Sequence, residues 1–296
     1  MKNGIKRLLT GVVMAAVITG ATAAFQEAVQ PIDGTQIATL DDLKAALPRD
    51  TRYYQETMRL NQVVLREMTG GALPGDDGKD WSESVSYEAC DPAGRVIAIF
   101  SDAGGKIALT LNEYDSAGNR VRGVMYLDGA LLTEVNTVFD EEGREISSET
   151  RSGDEISTKS ERTYEPQPDG TTRAAVTVYD ADGAVMEKDN HILGDKNRVI
   201  HSEINFGGYS AIADYAYDDK DRLVHSLVDR DGERRETTFQ YIDSADGTAS
   251  SYTYYQNGVL QSRFEQRFDA LGVCVYQAEY TAEGVLTSET TREPME

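Results

Sequence analysis

Along most of the chain, apolar and polar residues alternate with a period of two. In the stretch SRFEQRF, Phe264 and Phe268 share one face, while Arg263, Glu265 and Arg267 share the other. This period is typical of a β-strand with one face packed and one face in water, as in antiparallel sheets. No segment after residue 81 has the 3.6-residue periodicity of a helix, so the pattern predicts a chain made mainly of short antiparallel strands.

A recurring Asp-x-x-Gly pattern separates these stretches. In a type I turn the first position favours Asp, whose carboxylate accepts a backbone N–H, and Gly at the fourth position adopts φ > 0 to form a G1 bulge. The pattern occurs seven times, where chance predicts about two. We interpret its residues as structural turn residues: Asp91 and Gly94, Asp102 and Gly105, Asp115 and Gly118, Asp140 and Gly143, Asp180 and Gly183, Asp229 and Gly232, and Asp269 and Gly272.

The spacing of the turns predicts the fold class. Turn signals arrive about every 12 residues, which is the spacing of consecutive short antiparallel strands. We therefore expect an all-β antiparallel meander of tandem β-hairpin repeats with about 14–16 strands. Because open sheets rarely exceed about ten strands, the expected form is a large curled sheet or a flattened two-layer roll.

The first 23 residues have the composition of an export signal. A basic start containing Lys2, Lys6 and Arg7 precedes an apolar run, and Ala21-Thr22-Ala23 matches a cleavage site. We predict a cleaved signal peptide, secretion or cell-surface location by the general secretory route, and no membrane association of the mature chain. The alternative is an uncleaved N-terminal anchor, since the uncharged run Leu8–Phe25 is at the short end of a membrane span.

The segment from residue 24 to residue 80 differs from the repeats that follow it. Thr39 is a candidate N-cap followed by acidic residues, and Pro48 is a stop signal, so a short helix is expected at Leu40–Leu47. Residues Arg52–Thr69 fit either a helix or a strand, and Gly70–Asp80 has the composition of a linker. The predicted organisation is a signal peptide (1–23), an N-terminal segment (24–80), a repeat domain (81–290) and a tail (291–296).

The charge of the chain limits its partners. Acidic residues number 51 against 29 basic ones, giving a net charge of −22. Without residues 1–23, which carry three positive charges and no negative ones, the net charge is −25. Such a chain repels phosphate backbones and anionic membrane surfaces, so nucleic acid is not an expected partner.

The two cysteines, Cys90 and Cys274, provide a test of the architecture. A disulfide is permitted in an exported protein but needs Cα atoms within about 7 Å. Seven hairpins in an open sheet would place the two residues roughly 65 Å apart. A bridge between them would therefore require the sheet to close.

The block YDSAGNRV at Tyr114–Val121 resembles the YD repeat of Rhs-type proteins. Similar blocks are FDEEGREI at Phe139–Ile146, YDADGAVM at Tyr179–Met186 and FDALGVCV at Phe268–Val275. The segment YYQNGVL at Tyr254–Leu260 is similar to the hairpin repeats of MORN-variant proteins. The resemblance implies a β-repeat architecture and an exported role. It does not imply toxicity, because the chain has only about eight units and lacks the boundary motif of toxin-enclosing shells.

No catalytic constellation is apparent. His191, His201 and His225 are outside any metal-ligand spacing, and no nucleophile elbow or phosphate-binding loop is present. We therefore predict no enzyme activity and no cofactor. Calcium remains an alternative, with Asp180, Asp182, Asp229 and Asp231 as candidate ligands, although the turns explain the same residues.

The expected function is non-catalytic binding of a glycan or protein at the cell surface or outside the cell. Tyr252, Tyr254 and Tyr255 form the densest aromatic group and are the candidate binding residues, although cross-strand packing is the alternative explanation. A carbohydrate-active enzyme using groove carboxylates and a structural or immunity-type module remain open. We expect a working surface where the repeat is interrupted: at Tyr164–Gly170, at His191–Gly208, and before Trp81.

Overall fold

The computed structural model describes residues 32–64, 80–103, 105–153, 155–206, 208–245, 247–270 and 272–295. These residues include helix α1 (Leu40–Ala46), two short 3-10 helices (Gly34–Gln36 and Asp195–Asn197) and eighteen strands. The strands are β1 (Arg52–Asn61), β2 (Trp81–Cys90), β3 (Val96–Ala103), β4 (Lys106–Tyr114), β5 (Arg120–Leu127), β6 (Ala130–Phe139), β7 (Glu145–Ser152), β8 (Glu155–Pro166), β9 (Thr172–Asp180), β10 (Val185–Leu193), β11 (Val199–Phe206), β12 (Tyr209–Tyr217), β13 (Leu223–Arg230), β14 (Glu233–Ser244), β15 (Gly247–Gln256), β16 (Val259–Phe268), β17 (Cys274–Thr281) and β18 (Leu286–Pro294).

Helix α1 confirms the short helix expected in the N-terminal segment. The Thr39 hydroxyl accepts from the Asp42 backbone N–H at 3.1 Å, and the Asp42 carboxylate accepts from the Thr39 backbone N–H at 2.9 Å. This reciprocal capping box satisfies two donors that the first turn of a helix leaves unpaired. None of the described helices is long and apolar enough to cross a membrane.

The strands form a closed ring, which corrects the expected curled sheet or two-layer roll. Each strand from β2 to β18 pairs antiparallel with its neighbours in sequence, and β1 pairs with both β2 and β18. The closing register runs from Tyr54 opposite Pro294 to Leu60 opposite Ser288. The fold is therefore an up-and-down antiparallel β-barrel. Eighteen strands about 4.8 Å apart and tilted by about 40° give a ring of roughly 35 Å across the backbone.

The two strands that close the ring include residues for which the sequence pattern did not predict a strand. Residues 52–61, which fitted either a helix or a strand, form β1, and β18 continues through Pro294 into the expected tail. The backbone N–H of Met295 also donates to the carbonyl of Tyr53 at 2.8 Å. Closure joins the two ends of the chain, so the hairpin pattern within the chain does not predict it.

Side chains alternate between two walls of the barrel, and their exposure identifies the inner one. In β16, Phe264 and Gln266 are half-buried, whereas Arg263, Glu265 and Arg267 are exposed. The same alternation continues through β8, β11, β12 and β14, and the cross-strand register keeps each set on one wall around the whole ring. The concave side of a barrel crowds its side chains. We therefore assign the less exposed set to the inner wall.

The Asp-x-x-Gly segments adopt two different turns. In five of the seven, the glycine N–H donates to the carbonyl oxygen of the aspartate, and the glycine φ is between 76° and 91°. In the other two, at Asp102 and Asp229, the aspartate carboxylate accepts from the glycine N–H, at 2.8 and 3.1 Å. Strand pairing at these two sites continues one residue further, which leaves a two-residue turn. The same sequence pattern therefore serves two turn geometries.

A contact that we call the rim relay links neighbouring hairpins at one end of the barrel. The Asp218 carboxylate accepts from Arg222 Nε at 2.8 Å, and the Arg222 guanidinium lies 4.3 Å from the centre of the Tyr241 ring. The Tyr241 hydroxyl then donates to the carbonyl of Leu223 at 2.9 Å. The relay recurs at Asp91, Arg95 and Tyr114 and at Asp140, Arg144 and Tyr164.

Residues 32–47, the N-terminal arm, cover the outer wall of β2–β5. Leu43 of the arm is fully buried, and the arm packs against Ala89, Phe100 and Leu109. A Cβ on Gly34 would overlap the ring of Tyr126, so only glycine fits at this contact. The arm thereby buries an apolar part of the outer wall.

Candidate binding surface on the inner wall

The inner wall has two chemically different halves. From β2 to β8 it carries many hydroxyl side chains, among them Ser84, Ser86, Thr110, Ser148, Thr158 and Ser160, together with apolar ones such as Ile99, Met125 and Val135. From β9 to β17 it carries aromatic and small apolar side chains with a few carboxyl groups. Neither of the two buried apolar clusters among the described residues joins opposite sides of the ring across its interior. The inner wall is therefore available to a ligand.

A carboxyl pair lies on the inner wall of β10. Asp189 is buried, and one of its oxygens accepts from the Asn205 backbone N–H at 3.0 Å. Burial raises the pKa of Glu187 to about 7, and both the hydrogen bond with Asp189 and its charge add to the effect. Near neutral pH Glu187 is therefore partly protonated, and its carboxyl group can donate a hydrogen bond as well as accept one.

A neutral histidine lies beside this pair. His191 Nδ1 is 2.8 Å from the Ser202 hydroxyl, which is almost fully buried and also bonds Tyr215. Burial lowers the pKa of His191, Arg162 lowers it further, and the charge of Asp189 opposes both. The imidazole is therefore uncharged at neutral pH. We call Glu187, Asp189, His191, Ser202 and Tyr215 the inner polar patch.

Arg162 on β8 borders the inner polar patch. One of its Nη atoms lies 3.3 Å from Glu145, but its buried Nε has no hydrogen-bond partner among the described residues. A buried donor without an acceptor is costly unless a ligand or water supplies one. The Arg162 Nε–H is therefore a donor that the described residues leave unused on this side of the barrel.

The candidate tyrosines are divided between the two walls. Tyr252 is buried in an inner-wall stack, with its ring centre 5.1 Å from that of Phe239 and 4.3 Å from that of Phe264. Tyr254 is half-buried on the inner wall, and Tyr255 lies on the outer wall. The three side chains therefore do not form one patch. Their role in binding stays a prediction.

A row of amides and hydroxyls runs beside the aromatic stack. Ser250 donates to the Gln266 side chain at 3.2 Å, and Gln266 donates to the Gln277 side chain at 3.1 Å. In the next row, Glu279 lies opposite Phe264, and burial raises the pKa of its carboxyl group. Planar polar groups beside aromatic rings match the hydroxyls and apolar faces of sugars.

The other candidate residues have structural contacts. One oxygen of Asp180 accepts from the backbone N–H groups of Asp182 and Ala184, and Asp229 caps Gly232. No group of three or more potential metal ligands occurs within the described ranges. Calcium at Asp180, Asp182, Asp229 or Asp231 stays a prediction.

The remaining histidines and the cysteines lie elsewhere. His201 and His225 are on the outer wall beside Asp214 and Glu236, at 2.7 and 3.0 Å. Cys90 and Cys274 are both free thiols on the inner wall. Because the sheet closes into a ring, the two cysteines lie on strands that are three positions apart and not at opposite ends of an open sheet. That separation is about 14 Å, still too far for a disulfide.

Sequence spacing alone could have located part of the inner polar patch. Glu187, Asp189 and His191 alternate along β10, so any strand assignment places them on one face. His191 and Ser202 also fall within the expected interruption of the repeat. Ser202 is almost fully buried, which keeps its hydroxyl from attacking a substrate. The arrangement therefore supports binding by hydrogen bonds and not nucleophilic catalysis.

A protein-family model described as "Uncharacterised protein" matches residues 137–289, just over half of the chain. The match is to neither a YD-repeat nor a MORN family, so the resemblance drawn from YDSAGNRV was wrong. The shared Asp-x-x-Gly block encodes a turn, and unrelated hairpin proteins need the same turn. No curated protein matches the chain significantly in sequence.

Two solved structures that share features with the chain are described as porin-like proteins. The one from Bacteroides uniformis is 9% identical, with a TM-score of 0.38, over 82% of this chain and 97% of its own. The one from Bacteroides vulgatus is 12% identical, with a TM-score of 0.32, over 80% of this chain and 96% of its own. Similarity at this level carries no inference about activity.

Proposed function

Since the chain belongs to this family of uncharacterised proteins, we propose its function from the barrel itself: an exported, non-catalytic protein that binds an oligosaccharide on its inner wall. The observation that carries the proposal is the inner polar patch on β10–β12 together with the amide row on β15–β17. Both present hydrogen-bonding groups on a concave, half-apolar surface, which is the usual setting of a ligand site. The signal-like residues 1–23 support export.

The outer wall supports a barrel surrounded by water. A barrel embedded in lipid needs an outward apolar band about 25 Å tall, and Arg or Lys at its midplane costs about 2–4 kcal/mol. This outer wall carries charges in the middle of its strands, among them Glu134, Glu149, Lys159, Glu203, Glu236 and Glu265. The wall with fewer charges, which suits an uncharged ligand, is therefore inside the ring.

The low net charge of the inner wall supports an uncharged, hydroxyl-rich ligand. Most acidic residues of the chain lie in turns or on the outer wall, whereas hydroxyl and amide groups dominate inside. Sugars offer many hydroxyls that donate and accept, and such groups pair with Ser, Thr and Gln side chains. An oligosaccharide can also contact the half-buried ring of Tyr254.

Binding can be tested with the mature chain and soluble oligosaccharides of the chitin, cellulose and starch series, measured by calorimetry. Thr237 and Thr238 are consecutive residues on β14 that face opposite walls. Thr237→Trp fills space on the inner wall between the inner polar patch and the amide row. Thr238→Trp adds the same bulk outside and is the matched control.

We expect at least one series to bind, Thr237→Trp to weaken binding about tenfold or more, and Thr238→Trp to leave it unchanged. If Thr238→Trp is the damaging variant, the site is on the outer wall and the proposal is wrong. Absence of binding by all three series also overturns it. In that case a structural module becomes the better explanation.

A further inference from the structure

At the seam where the barrel closes, one half-buried arginine joins several strands. Arg292 on β18 donates to Glu56 on β1 at 2.7 Å, lies 3.0 Å from Glu88 on β2, and donates to the carbonyl of Cys274 on β17 at 3.2 Å. One guanidinium therefore bridges four consecutive strands. Because β18 and β1 are the two ends of the sheet, no hairpin turn joins them, and β1 continues to β2 only through residues 62–80. Non-covalent contacts alone hold the ring closed at β18 and β1.

At this seam, carboxylate side chains outnumber the basic side chain that pairs with them. Arg292 faces two carboxylates, so a buried negative charge remains when both are ionised. Glu88 is buried, and its Oε2 has no hydrogen-bond partner among the described residues. Burial raises the pKa of Glu88, the charge of Glu56 raises it further, and Arg292 opposes both effects. The folded barrel therefore favours the protonated form of Glu88.

The other charged and titratable groups around Glu88 come from every neighbouring element. Burial raises the pKa of both thiols, that of Cys90 to about 11, so both stay neutral at physiological pH. Burial also raises the pKa of Tyr54. The full set is Arg52, Tyr54 and Glu56 from β1, Cys90 from β2, Cys274 from β17, Arg292 from β18, and Asp91 and Asp269 from the adjoining turns.

We propose that the β18–β1–β2 seam is a proton-dependent closure of the barrel, tightest when Glu88 is protonated and looser once that proton leaves. The sign follows from the burial of Glu88. A group that the fold prefers protonated contributes stability at low pH, and that contribution is lost as the pH rises. Protonated Glu88 still accepts from Arg292, so acid removes the repulsion and keeps the bridge. A looser seam opens the inner wall sideways, between β18 and β1.

Hydrogen exchange of the mature chain measures this directly. Amide protection of residues 52–61 is compared at pH 5.5 and pH 8, after correction for the intrinsic exchange rate. We expect protection of β1 to fall about threefold or more relative to that of β7, which lies far from the seam, at the higher pH. An equal change in β1 and β7 would show a global effect and overturn the proposal.

Two variants test whether the proton that tightens the seam is bound to Glu88. Glu88→Gln is isosteric and keeps an acceptor for Arg292, so its β1 protection should no longer depend on pH more strongly than its β7 protection. Glu289→Gln is the matched control, because Glu289 also reaches across the seam, to Arg59 at 3.3 Å, but on the exposed outer wall. Its pH dependence should equal that of the native chain. If Glu88→Gln keeps the native pH dependence, the proton is not on Glu88 and the proposal is wrong. If Glu88→Gln does not fold, the comparison of β1 with β7 in the native chain decides.

Discussion

Replacing Asp91 by alanine should destabilise the barrel far more than replacing Asp229, although both begin an Asp-x-x-Gly segment. Asp91 is buried, and one of its oxygens accepts from the backbone N–H groups of Ala93 and Arg95, both at 2.9 Å. The other oxygen accepts from Arg95 Nε at 2.6 Å and also lies 2.6 Å from an Nη atom. Asp229 makes one exposed side-chain bond, to the Gly232 N–H at 3.1 Å.

The expected losses in the free energy of unfolding follow from these contacts. Asp91→Ala leaves two backbone donors and a guanidinium without acceptors. Charge-assisted bonds contribute about 1.5–3 kcal/mol each, but water at the rim replaces part of this, so the expected loss is about 3 kcal/mol. Asp229→Ala removes one exposed bond, and its two-residue turn remains, because Asp231 and Gly232 both have positive φ. The expected loss is under about 1 kcal/mol. Asp91→Asn keeps the backbone acceptor and should fall between the two.

Equilibrium urea unfolding measures the difference. Trp81, the single tryptophan, begins β2, the strand that ends beside Asp91, so its fluorescence reports on this part of the ring. The two alanine variants should differ by about 2 kcal/mol in the free energy of unfolding. A difference within about 0.5 kcal/mol would refute the reasoning, because it would mean that the sequence pattern, and not the turn geometry, determines the contribution.

Three further changes test other parts of the barrel. Arg292→Met should cost about 3–5 kcal/mol because it leaves the buried carboxylate of Glu88 and the half-buried carboxylate of Glu56 without their cation, whereas Arg59→Met, at an exposed pair, should cost under about 1 kcal/mol in the same urea assay. Equal losses of unfolding free energy in the two variants would show that the contacts of Arg292 do not hold the seam. Gly34→Ala should release the N-terminal arm, since its Cβ overlaps the Tyr126 ring. Faster trypsin cleavage of the arm checks this, and unchanged cleavage would contradict it. The native free energy of unfolding should fall as pH rises from about 4.5 to 7, because the fold raises the pKa of Glu187 to about 7. Glu187→Gln should flatten that slope, and a slope unchanged in the variant would assign it to other groups.

Local parts of this fold are predictable from the sequence because their causes are local. The capping box at Thr39 places helix α1, and the alternation in β16 identifies a strand with one polar face. The turn at Asp115 depends only on a carboxylate and on a glycine with φ of 91° three residues later. Each of these features is decided within a few residues, so pattern and structure agree.

Closure and the inner wall are not predictable in the same way. Whether β1 pairs with β18 depends on residues more than 200 positions apart, such as Glu56 and Arg292. Alternation also assigns residues to two faces without saying which is concave. Tyr252 and Tyr255 therefore appear as one aromatic group in the sequence but lie on opposite walls. The inner polar patch adds a third difficulty, because Ser202 comes from a second strand.

The rim relay allows the diameter of the barrel to change with the number of hairpins. Where it occurs, the relay joins a hairpin only to the next one through an Asp–Arg–Tyr contact, so a hairpin can be added or removed without changing the contacts within the others. An even number of strands still closes. Each hairpin alters the circumference by about 12 Å and the diameter by about 4 Å. Evolution can therefore widen or narrow the ring in fixed steps, through the number of repeats, while keeping the same seam.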